Sequence, residues 1–194
     1  MCFFLNKINI QNIKSQSGPT YIEDRDNSDY IYSINDLSEL KGHSMHKIKN
    51  FTNRFKALYP EVETRILDLT NDKIQTEILN LFDEWKKTKN DTEHERIAIT
   101  RTIKDADKLS DLYSLGLYDK SRLIAFMMFD LANQDYAQSH FAKALSLDYK
   151  GIFPYLFHTT ANFLLEKQNK NKNRKRKQYF FVRKKSCHFH IEIA

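Results

Sequence analysis

An α+β or mixed α/β fold is what the sequence predicts, on three observations. Apolar residues recur at helical spacing in three segments between Ser44 and Ala106. Between Asp111 and Ala144 the texture changes to three runs rich in apolar and aromatic residues, separated by short polar turns. Helical spacing then returns after Tyr149-Lys150-Gly151. Helices, an antiparallel meander and a closing helix together describe a sheet covered by helices.

Taken in order, residues 1–28 read as a loose lead-in, with Ser15, Ser17, Gly18 and Pro19 ahead of an acidic stretch. Tyr30-Ile31-Tyr32 is strand-like, and Asp36 is placed to cap a helical turn from Leu37 to Leu40 before Gly42. From Ser44 to about Tyr59, Ile48, Phe51, Phe55 and Leu58 form an apolar helical stripe that Pro60 ends. Glu61 to Leu69 reads as a strand, and Thr70 is expected to cap the next helix. That helix carries Ile74, Ile78, Leu81, Phe82 and Trp85 on one face. Thr92-x-x-Glu95 has capping-box spacing and opens a helix buried through Ile99, Ile103 and Ala106.

The runs 111–118 and 122–129 form two strands joined through Asp119-Lys120-Ser121, and the second is apolar on both faces, as a central strand must be. Asn133-Gln134-Asp135 turns into a third strand, Tyr136 to Ala144. In the last helix Pro154 sits in the first turn, where its missing N–H costs nothing, and Ile152, Leu156, Thr159 and Phe163 form the expected buried stripe.

Charge is divided unevenly. Residues 1–166 hold 21 Lys and Arg against 24 Asp and Glu, a net of −3, while residues 167–194 hold 10 against Glu192 alone, a net of +9. The segment from Lys167 to Lys177 is low-complexity, so 167–194 reads as a basic tail: an arm for nucleic acid or an anionic membrane, or simply a solvated run. The longest apolar run, Leu123 to Phe129, is far short of the ~20 residues that a membrane-spanning helix needs. Met1 to Leu5 is interrupted too early for a signal-peptide core, and a soluble cytoplasmic protein is expected. Cys2 and Cys187 provide no disulfide framework, and Cys187 with His188 and His190 falls short of a four-ligand zinc site, so no metal is expected.

Two stretches carry a recognisable pattern. Asp29-Tyr30-Ile31-Tyr32, Leu37-x-x-Leu40-Lys41-Gly42 and the segment His46 to Phe55 resemble the "DYIY…L..L.GKKYHKKRNH.NRF" segment of the phosphatidylglycerol lysyltransferase C-terminal domain family. His140-Phe141-Ala142-Lys143-Ala144 with Tyr149-Lys150-Gly151 resembles its "HFEKA…YKG" segment, and Arg122 to Phe126 its "G.IVAF" strand. The resemblance covers residues 29–166 and implies a GNAT-like fold, with this chain corresponding mainly to the second half of a tandem pair. It also implies an acyl or aminoacyl transferase, with aminoacyl-tRNA or acyl-CoA as donor. Ala142 stands where the pattern has Glu, and the stretch after Glu166 departs from the family's continuation, which suggests a truncated, weakly active or inactive domain and a frameshifted or extended end.

Acyl transfer needs a base for the acceptor and donors for the oxyanion, not an enzyme nucleophile. His140 is the candidate base, or else a partly buried strand histidine. Lys143 would steady an anionic donor or be solvated. His46, Lys47, Lys49, Asn50 and Arg54 line a basic helix face suited to phosphate, or an ordinary solvated face. Lys150 and Gly151 mark the strand-to-helix turn where GNAT proteins cradle a pyrophosphate. The alternatives to a transferase are a catalytically silent binding module and a nucleic-acid-binding protein acting through its tail.

Overall fold

A computed structural model describes residues 29–87, 89, 92–133, 136–169 and 179–183. The lead-in 1–28, the runs 170–178 and 184–194, and with them Cys2, Cys187, His188 and His190, lie outside the described residues. The chain orders itself as β1 (Asp29–Ser33), α1 (Ile34–Glu39), α2 (His46–Leu58), β2 (Val62–Ile66), α3 (Asp72–Lys86), α4 (Glu93–Lys104), β3 (Leu112–Asp119), β4 (Arg122–Asn133), β5 (Tyr136–Ala144), α5 (Ile152–Asn169) and β6 (Tyr179–Arg183). The six strands form one sheet in the order β1-β6-β5-β4-β3-β2. Every pairing is antiparallel except β5 with β6. The expected α/β (α+β) architecture, an antiparallel meander flanked by helices, is present.

Helices cover both faces. Across the β4–β5 ladder Met127 lies opposite Ala142 and Phe126 opposite Lys143. Strand alternation sends these two pairs to opposite sides of the sheet. On the first side α5 packs through Thr160, whose hydroxyl reaches Met127 Sδ, and through Phe163, which meets Phe129 edge-on. On the second side Trp85 of α3 and Glu95 of α4 meet Lys143. The core includes Phe126 to Phe129 of β4, all fully buried, which is why that strand reads as apolar on both faces.

Several local expectations are corrected. Ser33, not Asp36, caps α1, accepting from the Asp36 amide. Asn71, not Thr70, caps α3, accepting from the amides of Lys73 and Ile74, while Thr70 bonds Asp68. Thr92 precedes α4 but its side chain makes no cap bond, and Glu95 turns inward to Lys143 instead of completing a capping box. The buried stripe of α2 is Ile48, Thr52 and Phe55, while Phe51 and Leu58 are about half exposed (44% and 52%). The helix packs chiefly on α5, with Phe55 stacked on Tyr155 at 4.6 Å. In α5 the burial is broader than Ile152 and Leu156, adding Phe153, Phe157, Thr160, Ala161 and Leu164, with Thr159 and Phe163 only partly covered.

The largest correction concerns the segment expected as a tail. Helix α5 runs to Asn169, past the expected boundary at Glu166. Tyr179–Arg183 is then β6, hydrogen-bonded between β1 and β5, with Phe180 and Val182 buried. Its Tyr-Phe-Phe-Val run has strand chemistry, but the adjacent basic residues mask it in any composition count.

Candidate functional site

Strand β5 does not run evenly beside β4. The register passes from Met128 opposite Phe141 to Phe129 opposite Ser139, so His140 is an extra residue on β5, a β-bulge. Ser139 shares the α5 side with its partner Phe129, and Phe141 shares the α3–α4 side with Met128. The bulge therefore re-aims His140 toward the α3–α4 side, where its Nε2 lies 2.8 Å from Asp130 Oδ2. With the carboxylate accepting from Nε2–H, a neutral ring carries its lone pair on Nδ1. Both side chains are about one-third exposed, and they border a cleft of about 490 Å³ that Thr102, Lys108, Ser110 and Asp111 also line. Asp130 Oδ1 is buried without a hydrogen-bond partner among the described residues.

Asp130 was legible in the sequence only as a residue near a turn. Its separation from His140 is ten residues, and only a bulge in the intervening hairpin brings the two together.

The other candidates lie elsewhere. Lys143 is wholly buried, neither solvated nor at the surface: Nζ sits 2.6 Å from Glu95 Oε1 and 4.4 Å from the centre of the Trp85 ring. Ala142 is equally buried, on the opposite side of the sheet. Gly151 adopts φ +88°, and a Cβ there would stand 2.6 Å from the Phe51 carbonyl oxygen, so its lack of a side chain seats the start of α5 against α2. Lys150 beside it is exposed. His46, Lys47, Lys49, Asn50 and Arg54 are all exposed on α2, with Asn50 Nδ2 3.5 Å from His46 Nδ1. Since α2 packs on α5, this basic face and the His140 cleft belong to opposite sides of the sheet. Among the described residues no group of three or more His, Cys, Asp or Glu is arranged to hold a metal, and no helix is long and apolar enough to cross a membrane.

The family model for the phosphatidylglycerol lysyltransferase C-terminal region matches residues 9–173. The chain belongs to that family. The match runs beyond the 29–166 stretch on which the sequence patterns were read. Among solved structures, a protein of unknown function from Bacteroides thetaiotaomicron superposes with a TM-score of 0.72 at 24% identity, covering 92% of this chain and 57% of its own. The L-PGS structure from Bacillus licheniformis gives 0.55 at 14% identity, covering 81% of this chain and 46% of its own. A C-terminal domain assigned to a lysylphosphatidylglycerol synthetase of Agrobacterium fabrum gives 0.54 at 15%, with the same coverages of 81% and 46%. These likenesses establish a shared fold. The chain spans about half the length of these structures. No protein of curated function matches the sequence.

Proposed function

We propose that this chain is an acyl- or aminoacyl-transfer domain in which His140, oriented by Asp130, removes the proton from the acceptor. The observation that carries the reading is the bulge in β5, which turns a histidine out of the strand's alternation, sets it against a carboxylate and leaves both on a cleft. In the transfer the acceptor's amine or hydroxyl attacks the carbonyl of an ester or thioester donor while its proton passes to His140. The new bond to the carbonyl carbon forms, the bond to the leaving oxygen or sulfur breaks, and the leaving group takes the proton back from His140. Asp130 holds the ring and stabilises the imidazolium that forms between the two steps.

The donor is an aminoacyl-tRNA or an acyl-CoA. With aminoacyl-tRNA as donor, His46, Lys47, Lys49, Asn50 and Arg54, with Lys150, bind its phosphates. Aminoacyl-tRNA, unlike a small thioester, is large enough to touch both sides of the sheet. Lys143 and Gly151 support the site through packing rather than contact with donor.

The test is donor discharge, with aminoacyl-tRNA and with acyl-CoA, in the presence of amine and hydroxyl acceptors. His140→Ala is expected to lower kcat/KM by about 10²- to 10⁴-fold, as loss of a general base does. Asp130→Asn is expected to change the pH profile as well as the rate. Discharge by His140→Ala at the wild-type rate would sink the assignment. A second reading, a binding module without turnover, draws on Ala142, which leaves no carboxylate at a position where the resembling pattern has one. On that reading the wild type binds donor but never discharges it. Binding that falls steeply with salt and ignores the acyl group would instead point to the basic end of the chain.

A further inference from the structure

Strand β2 closes one side of the sheet, and among the described residues it is paired only with β3. Open strand edges are usually short and guarded by charge, because their unpaired amides are a template for another strand. Here the guard is peculiar. Read from its centre at Thr64, the strand Val62-Glu63-Thr64-Arg65-Ile66 has an aliphatic residue at each end and one charge of each sign between them.

We propose that β2 is a self-complementary edge through which two copies of this chain join their sheets about a two-fold axis at Thr64. Such an axis makes the pairing antiparallel and places residue i of one copy opposite residue 128 − i of the other, a closed contact of the kind that limits assembly to a dimer. Glu63 then faces the partner copy's arginine at position 65, and Arg65 faces its glutamate at position 63. On the other face the Val62 and Ile66 positions meet, and Thr64 meets its own equivalent. Opposite charges directly across an antiparallel pair are favourable, and like charges are not.

The backbone is in phase for this register. Leu67 N donates to Ser114 O at 2.9 Å, and Ile66 lies opposite Leu115. Inward- and outward-facing amides alternate along an antiparallel ladder, so Glu63 and Arg65 share the inward phase of Leu67. The N–H and C=O groups of Val62, Thr64 and Ile66 therefore face away from β3; the Val62 amide already donates to the Tyr59 carbonyl at 3.2 Å, so a two-fold at Thr64 draws its donors from Thr64 and Ile66. Sliding the axis to residue 63 or 65 keeps the outward amides at the contact but opposes two glutamates or two arginines. The backbone allows all three axes, and charge selects the one at Thr64.

Two exposed features of the single chain fit this contact. Ile66 is 64% exposed, with no strand beyond it among the described residues. Arg65 lies over the Tyr118 ring at 4.4 Å, with Nη2 2.7 Å and Nε 3.1 Å from Glu63 Oε2 and Nη2 3.4 Å from the Lys120 carbonyl, and it is the exposed pair with Glu63 that a partner strand can exchange for the equivalent bonds between copies.

The experiment is the mass of the full chain in solution, by sedimentation equilibrium, for wild type, Glu63→Arg and Arg65→Glu, each alone and then mixed. The wild type is expected as a dimer of twice 23.1 kDa. Each variant alone, with two like charges facing two like charges, is expected as a folded monomer whose melting temperature no longer rises with protein concentration. Mixed in equal amounts the two are expected to form a one-to-one dimer, since the doubly basic strand then faces the doubly acidic one. The double exchange, Glu63→Arg with Arg65→Glu, restores self-complementarity and should dimerise by itself, which keeps the test valid if a single variant folds poorly. A wild type that stays monomeric at every concentration, a dimer that survives in either unmixed variant, or a mixture that fails to associate would each overturn the proposal.

Discussion

Lys143 places its ammonium 2.6 Å from Glu95 Oε1 in a position wholly withdrawn from solvent, and so ties the central strand β5 to α4. The same nitrogen lies 4.4 Å from the centre of the Trp85 ring, so α3 shares in the contact. Glu95→Ala would leave a buried cation without its carboxylate, and a cost of about 3–5 kcal/mol is expected in urea unfolding. Lys143→Met removes the charge and fills similar volume. It should cost far less than Glu95→Ala and leave donor discharge unchanged; loss of discharge in a folded Lys143→Met would return this lysine to the reacting groups.

His158 joins α1, α2 and α5. Its Nδ1–H donates to the Leu37 carbonyl at 3.1 Å, and its Nε2 accepts from Lys56 Nζ at 3.5 Å and Asn162 Nδ2 at 3.3 Å. Asn162 is held in that orientation by Ser38 Oγ, which donates to its Oδ1. Burial, reinforced by the Lys56 ammonium and opposed by the Leu37 bond, holds the imidazole below its ordinary pKa. The unfolded chain takes up a proton near pH ~6.5 while the folded one still does not. The unfolded state therefore binds more protons in that window, and stability falls as pH drops from about 6.5 through the lowered folded value. His158→Gln should flatten that part of the profile, read as the denaturation midpoint at a series of pH values; an identical slope in both proteins would count against the assignment.

Gly151 is a packing glycine. Alanine there would meet the Phe51 carbonyl at 2.6 Å from a backbone at φ +88°, strain of order 1–3 kcal/mol before any clash is relieved. The expected result for Gly151→Ala is a lower melting temperature with donor affinity retained in the folded fraction. Full stability with lost affinity would make it a ligand contact after all.

Strand β6 sets the fourth expectation. Phe180 is fully buried and meets Phe129 edge-on at 6.3 Å. Phe180→Ala should cost about 3–5 kcal/mol, the usual range for a large aromatic removed from a core. Ending the chain before Tyr179 should depress the melting temperature further, because β1 would lose its neighbour in the sheet. A truncated chain that melts with the full one would show that β6 contributes nothing.

By itself the sequence determined the periodic parts of this protein. The α3 face from Ile78 to Trp85, the doubly apolar strand β4 and the hairpin around Lys120 follow from local spacing and turn chemistry, and they stand where they were read. The family was legible too, from the segments around His46 and His140. What the tertiary structure decided are matters of which side a residue faces. Phe51 lies outside the buried α2 stripe because α2 packs on a helix rather than on a sheet, while Thr52 lies inside it. Lys143 is buried because Glu95, forty-eight residues earlier, comes to meet it. His140 reaches Asp130 because one extra residue in β5 breaks the alternation that a strand would otherwise impose. Propensity and periodicity act over a few residues, whereas burial, pairing and a bulge's direction are set by elements distant in the chain, and those long-range contacts choose which face each side chain lines.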